Sequence, residues 1–312
     1  EKELIDFEDM INLASKIVSK ETDLYKDVYD HILIDEYQDI SNQRYELINA
    51  LMKKNDGCKL FCVGDDWQSI MGFAGSDPEF FIHFERYFPY PAVTYLTYNY
   101  RSTSSIVNTG NTIISYNKKY QIDKQVEAVN NQTHPIKVYA SLHQKKYKKP
   151  YFEQIAKHCQ QEIDEMLLNG HESKDIMVLT RIFNNPMFND VFIPYATKNN
   201  IRYCSVHRSK GQQAKAVFLL NLDRGLYGFP CELQSPTILE PARLTSNNDK
   251  EIEERRLFYV AVTRAKEKIT IYSQQCTQSK FIDEISSHVE IEELPYKKME
   301  KKYQREYVSN MM

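Results

Sequence analysis

An α/β fold built around a parallel sheet is what this sequence predicts, on three observations. Short apolar runs rich in β-branched residues alternate with amphipathic stretches, the pattern of strands joined by helices. Polar clusters stand at or just after several of those runs, where a parallel sheet offers the carboxyl ends of its strands to a ligand. A proline-bearing patch, Phe88–Pro91, separates the early units from the later ones and marks the expected domain boundary.

Strands are expected at His31–Ile34, Leu60–Val63, Val93–Thr97, Ile136–Ala140, Ile176–Thr180, Ala216–Leu222 and Ile269–Tyr272. Tyr151–Leu168 reads as a helix, because Phe152, Ile155, Ala156, Cys159, Ile163, Met166 and Leu167 fall on one face at the helical period. Ser102–Asn117 reads the same way through Ile106, Val107, Gly110, Ile113 and Ile114, with Ser102 as its N-cap. The polar signals then take their places: Asp35 after the first strand, Gly64 after the second, where it allows a tight turn, and Arg101 shortly after the third.

Composition sets limits. A chain of 312 residues can bury a sizeable core and is expected to form two domains. Its 42% hydrophobic and 27% charged residues are ordinary for a globular protein, and a formal net charge of −3 gives no global sign of nucleic-acid binding. Any nucleic-acid contact must come from a local surface. No apolar run approaches the ~20 residues of a membrane span, so no membrane partner and a cytoplasmic location are expected. The six cysteines lack the paired spacing of a zinc site and are expected to be reduced and mostly buried. The Lys-rich stretch Gln144–Pro150 reads as an exposed loop, and the tail from Pro295 as charged and poorly ordered.

Two strings carry most of the chemistry. In His31-Ile-Leu-Ile-Asp-Glu-Tyr-Gln-Asp39 an apolar strand ends in Asp-Glu, which lets one carboxylate hold Mg²⁺ while the next orients or deprotonates an attacking water. In Val63-Gly-Asp-Asp-Trp-Gln-Ser-Ile-Met-Gly-Phe-Ala-Gly75 a second strand delivers Gln68, which could touch a γ-phosphate, and Phe73, which could stack on a base. Each residue has a bland alternative: Phe73 as core, Trp67 as domain packing, Asp65 and Asp66 as turn caps.

Three more strings follow in order: Tyr95-Leu-Thr-Tyr-Asn-Tyr-Arg-Ser-Thr-Ser-Ser105, Ser205-Val-His-Arg-Ser-Lys-Gly-Gln-Gln213 and Glu254-Arg-Arg-Leu-Phe-Tyr-Val-Ala-Val-Thr-Arg-Ala-Lys266. Together the strings resemble motifs II to VI of the superfamily 1 helicases of the UvrD/Rep/PcrA group, most of all its bacterial helicase IV branch. The resemblance covers roughly Ile5 to Ile285. It implies a RecA-like parallel sheet with flanking helices, incomplete in a first domain and complete in a second. The expected division is 1–91 for the first, 92–290 for the second without a large accessory insertion, and 291–312 for the tail.

The resemblance also implies roles. Asp35 would hold Mg²⁺ and Glu36 act as the base; Gln68 would sense the γ-phosphate. Tyr100 would stack on adenine, Arg101 and Arg264 would contact the γ-phosphate, and Gly211 and Gln213 would lie against the nucleotide. Gln213 stands where the family usually has a ribose-contacting Glu. Phe73 and His207 would face single-stranded DNA, although Met71 and Ala74 replace an aromatic and an Arg usual in that DNA-facing motif. An arginine acting on the transferred phosphoryl group can change the rate by roughly 10³–10⁵.

A phosphate-binding loop needs Gly-Lys followed by Ser or Thr, and none of the nine glycines is followed by lysine. In the family that loop lies upstream, so a fragment of a longer protein is expected. Only about 25 residues separate Arg181 from His207, too few for a folded domain. The expectation is therefore an ATP-dependent DNA helicase or translocase of 3′-to-5′ polarity, using ATP and Mg²⁺. Its partners would be single-stranded or duplex DNA and the missing N-terminal part of the same protein, and this chain alone would be inactive. The rival from another class is a non-catalytic, helicase-like DNA- or protein-binding module.

Overall fold

The computed structural model describes residues 4–20, 23–141, 149–183, 185–233 and 247–294. The Lys-rich loop is mostly, and the charged tail from Pro295 wholly, outside the described residues. The fold class is the one expected: α/β, with every strand pairing parallel. Two compact units make up the chain, one of Glu1–Thr97, Ile114–Gln125 and Thr245–Tyr259, the other of Tyr98–Ile113, Val126–Leu244 and Val260–Met312. This division does not follow a single cut at residue 91. Two later segments return to the first unit because hydrogen bonds hold them there: the Ile122 amide donates to Asp66 at 2.8 Å, Arg255 to Asn117 at 2.8 Å, and Asn117 to the Ile252 carbonyl at 3.0 Å.

The first unit holds a parallel pair, β1 (His31–Ile34) and β2 (Lys59–Cys62), with His31 level with Lys59. Helix α1 (Phe7–Ser19) starts on a capping box in which Asp6 and Asp9 exchange backbone and side-chain bonds. Helix α2 (Asn42–Lys54) starts on Ser41, whose hydroxyl accepts from Arg44. Beside the strands, Tyr37, Ile40 and Phe80 form a small core joined by Tyr45, Phe81, Phe84, Tyr87 and Phe88. Its aromatics meet mainly edge-on or tilted, for instance Tyr37 against Phe84 with centroids 5.5 Å apart. Two short helices, α3 (Glu79–Ile82) and α4 (Phe84–Tyr87), deliver the phenylalanines.

Val93–Thr97 is not a strand. Val93, Tyr95 and Leu96 are all exposed, so no face of this run is buried, and the ladder begins only at β3 (Tyr98–Thr103). The run has strand composition without a surface to cover it. Ser102 consequently lies inside β3 and does not cap a helix; its hydroxyl donates to the Ala265 carbonyl at 2.7 Å, and α5 (Ser104–Ser115) starts two residues later. β3 pairs with β4 (Glu127–Asn130).

The main sheet of the second unit has six strands: β5 (Ile136–Ser141), β6 (Ile176–Thr180), β7 (Arg202–Ser205), β8 (Ala214–Leu219), β9 (Ala265–Gln274) and β10 (Val289–Leu294). They run in the order β10-β5-β9-β8-β6-β7. Both faces are buried, as a parallel sheet requires: Ile176, Val178, Ala216 and Phe218 point one way, while Met177, Leu179, Val217 and Leu219 are buried on the other. Helix α6 (Lys149–Leu168) lays Phe152, Ile155, Ala156, Cys159 and Ile163 into the first face, the stripe expected from the sequence. Helix α7 (Pro186–Asn199) adds Phe188, Phe192 and Ala196 to the same core. The interval from Arg181 to His207 is thus α7 and β7, both integral to this unit. Helix α8 (Asn247–Thr263) runs to the threshold of β9, and α9 (Lys280–Glu284) precedes β10.

Ile155 and Leu168 share α6 but not its environment, Ile155 being wholly buried and Leu168 85% exposed. Ile155→Ala should cost about 2–5 kcal/mol by urea unfolding. Leu168→Ala should stay within about 0.5 kcal/mol. Equal effects of the two substitutions would contradict the packing of α6 on the sheet.

Candidate functional site

In the first unit the carboxyl ends of β1 and β2 come together through one side chain. Glu36 leaves β1 in the left-handed region, at φ 52°, a conformation a non-glycine residue holds only when its surroundings fix it. Its amide donates to Asp35 Oδ1 at 2.8 Å, and both residues are exposed at the turn. Gln38, fully buried, donates through Nε2 to the Glu36 carboxylate and accepts through Oε1 from the Asp65 amide at 2.9 Å. Gly64 is needed for space and not for a tight turn: a Cβ there would collide with Gln38 Oε1 and stand 3.1 Å from the Phe81 ring. Its φ is not positive, unlike that of Gly75 or Gly211.

Asp65 extends this arrangement. Its Oδ2 accepts from Gln68 Nε2 at 2.7 Å, and its Oδ1 accepts from the Trp67 amide at 3.2 Å and from Lys124 Nζ at 2.8 Å. Asp66 has no solvent exposure; it takes Lys124 Nζ at 2.8 Å and the Ile122 amide at 2.8 Å. Burial pulls the Lys124 ammonium down, but Asp65 and Asp66 outweigh it and hold its pKa above the ordinary lysine value. The buried Trp67 ring receives Lys124 4.8 Å from its centroid and meets Tyr259 edge-on. Burial pushes the Cys62 thiol up to about 12 and raises Tyr37 too, so neither ionises near neutral pH.

Phe73 is 63% exposed on a 3₁₀ turn, Gly72–Ala74, pinned where Glu253 accepts the Gly72 amide at 3.0 Å. An exposed ring on a fixed turn suits base stacking, which is worth roughly 1–3 kcal/mol per base. Asp35 and Glu36 present hard oxygens without a closed cage, and no group of three or more His, Cys, Asp or Glu able to hold a metal occurs among the described residues. That donor set fits Mg²⁺, which keeps waters and takes one or two carboxylates together with substrate phosphates.

In the second unit Tyr100 and Arg101 lie within β3, not after it. The Asn99 side chain accepts from the amides of Arg101 at 2.9 Å and Ser102 at 2.8 Å, and the register with β4 shifts between Asn99 and Thr103. This irregularity turns two consecutive side chains outward, where a regular strand would alternate them. Tyr100 is 79% exposed.

His207 opens a 3₁₀ turn after β7 and is half-buried. Gly211, at φ 75°, then turns the chain toward β8, leaving Gln213 exposed. Arg264 lies between α8 and β9 and is only 2% exposed, with Nε donating to the Val260 carbonyl at 3.1 Å and Nη1 to the Gln212 carbonyl at 3.1 Å. The Ala214 amide donates back to the Arg264 carbonyl at 3.0 Å. Gln213 and Arg264 therefore sit at the amino ends of β8 and β9, whereas Asp35, Glu36 and Gly64 follow the carboxyl ends of β1 and β2. The sequence pattern did not separate these cases.

Asp35, Glu36 and Gln68 are brought into one hydrogen-bonded cluster; Gly211, Gln213 and Arg264 share a second neighbourhood. Gln38, Lys124 and Asn99 are the positioning side chains that sequence reasoning did not single out, while Asp65, expected at most as a turn cap, caps the turn through the Trp67 amide and also holds Gln68. Gln38 and Asp65 carried a signal, since both lie inside the motif strings, but Lys124 is 59 residues from Asp65 and carried none.

Comparison with known proteins shows what the chain is similar to along its length. The UvrD/REP helicase N-terminal domain matches residues 1–89, and the UvrD-like helicase C-terminal domain matches residues 94–189 and 193–275. DNA helicase IV of Escherichia coli (strain K12) is 31% identical over 285 residues, 89% of this chain and 38% of that protein. The ATP-dependent DNA helicase PcrA of Staphylococcus aureus (strain Mu50 / ATCC 700699) is 28% identical over 220 residues, 69% of this chain and 28% of that protein. The chain thus spans well under half the length of these curated relatives. With both family domains matched in order, the C-terminal one over more than half of this chain, the chain belongs to the UvrD-like DNA helicase family.

Proposed function

We propose that the chain supplies most of the ATP-hydrolysing apparatus of a DNA helicase or translocase moving 3′ to 5′. The observation that carries this is the Glu36–Gln38–Asp65–Gln68 hydrogen-bonded chain at the ends of β1 and β2. It presents a carboxylate and a carboxamide from two different motifs in fixed orientation. Asp35 holds Mg²⁺, which supplies charge neutralisation on the phosphates when bound. Glu36 takes the proton of a water whose oxygen attacks the γ-phosphorus; the bond to the bridging oxygen breaks and ADP departs. Gln68 contacts the γ-phosphate, and Tyr100 stacks on adenine. Gly211 and Gln213 lie along the nucleotide, and Arg101 and Arg264 stabilise charge on the transferred group. Phe73 and His207 contact single-stranded DNA. The partners in this reading are DNA and a further part of the same polypeptide, in the cytoplasm.

A second reading has support for the isolated chain. None of its glycines precedes a lysine, so no phosphate-binding loop of the Gly-Lys-Ser/Thr type is present in these residues. The chain alone then acts as a DNA-binding module without turnover.

Two measurements test these roles. The purified chain should release phosphate from ATP no faster with single-stranded DNA than without it, and robust DNA-stimulated turnover abolished by Glu36→Gln would refute the requirement for a phosphate-binding loop. Arg264→Lys, made in a hydrolysing helicase polypeptide containing this chain, should lower turnover by about 100-fold or more. Because a lysine cannot reach the Val260 and Gln212 carbonyls in one plane, it should also lower the free energy of unfolding by about 1–3 kcal/mol. A variant with normal turnover would remove Arg264 from the site.

A further inference from the structure

We propose that Lys124 is a positioning residue for the phosphate-sensing arm: by binding Asp65 and Asp66 together it fixes the carboxylate that holds the Gln68 side chain. The consequence for turnover rests on the reading of Gln68 given above; the clamp itself is a property of the folded chain.

Asp65 is the hub. One of its oxygens accepts from Gln68 Nε2 at 2.7 Å, and the other is shared between Lys124 Nζ at 2.8 Å and the Trp67 amide at 3.2 Å. The Asp65 side chain is 29% exposed, so without a cation it is free to rotate toward water and take the Gln68 amide with it. Lys124 prevents this because it is itself anchored: its side chain is 13% exposed, its second proton goes to the wholly buried Asp66 at 2.8 Å, and it lies over the Trp67 ring. Asp66 in turn accepts the Ile122 amide at 2.8 Å, two residues before Lys124. The 114–125 segment is thereby attached to the Asp65–Gln68 turn by backbone and side chain together. A merely space-filling lysine would need neither two carboxylates nor this orientation.

Lys124→Met keeps the length and the contact with Trp67 and removes the charge; Lys124→Arg keeps the charge. The side-chain amide signals of Gln68, in chain labelled with ¹⁵N-glutamine and assigned by their loss in Gln68→Ala, report its hydrogen bond. In Lys124→Met they should move to free-glutamine positions, with proton exchange roughly tenfold faster or more, and Lys124→Arg should restore them. Emission from Trp67, the one tryptophan in the sequence, reports whether the unit is folded. If Lys124→Met unfolds, Lys124→Met with Asp66→Asn removes the uncompensated buried charge, and the same readout applies. Gln68 signals unmoved in the folded variant would overturn the proposal. In a hydrolysing helicase polypeptide containing this chain, Lys124→Met should lower kcat roughly tenfold or more with KM for ATP within about twofold, again restored by arginine. If the Gln68 amide is released while kcat stays normal, the clamp stands and the phosphate-sensing role of Gln68 falls.

Discussion

The buried carboxamide of Gln38 is the interaction on which the first unit's site depends. Its Nε2 donates a hydrogen bond to the Glu36 carboxylate at the end of β1, and its Oε1 accepts one from the Asp65 backbone amide beyond β2. Two strands alone are a marginal platform, and a pair of loops at their ends would sample many arrangements. A single fully buried amide that satisfies one group from each loop removes that freedom. The cost of leaving either partner unsatisfied enforces the arrangement. The glycine at 64 follows from it, because the backbone must approach the Gln38 oxygen too closely for any side chain. Ser69 adds a further tie, its hydroxyl donating to the Gln38 carbonyl at 3.1 Å.

Outward from this amide the site is built by charge. Asp65 relays the arrangement to Gln68, and Lys124 holds Asp65 against Asp66. A buried carboxylate such as Asp66 survives only because its cation and a backbone amide satisfy it, so these residues stand or fall together. The second unit solves its problem by backbone means. An asparagine side chain caps two amides inside β3, where Tyr100 and Arg101 are both exposed, and Arg264 ties the end of α8 to the residues before β8. The burial of Arg264 makes it a structural element of its unit whatever it does to a nucleotide.

Much of this was legible in the residues. Short apolar runs placed β1 and β6, and the 3.6-residue period placed the buried stripe of α6, because strand-forming composition and burial on the sheet leave a direct mark on hydrophobicity. The Asp35-Glu36 and Gly64–Gln68 strings stood out because polar residues abruptly follow apolar strands. Other features left no such mark. Val93–Thr97 has the composition of a strand, and only the absence of a covering surface denies it that role. Ser102 looks like a cap until β3 is seen to run past it to Thr103. Lys124 reads as an ordinary surface charge, since nothing local tells of carboxylates 58 and 59 residues away. The return of residues 114–125 and 245–259 to the first unit is likewise a tertiary fact, made by side-chain bonds that local pattern cannot encode.

The central claim is that Gln38 physically joins the two motif loops, and the Asp65 amide reports on it directly. Hydrogen exchange at that amide, followed by NMR in the wild-type chain and in Gln38→Ala, isolates the bond to Gln38 Oε1. Loss of a buried bond worth about 1–3 kcal/mol should speed Asp65 exchange roughly tenfold or more, with the amides of β6 and β8 unchanged. Asp65 protection that survives the loss of the Gln38 side chain would contradict the account.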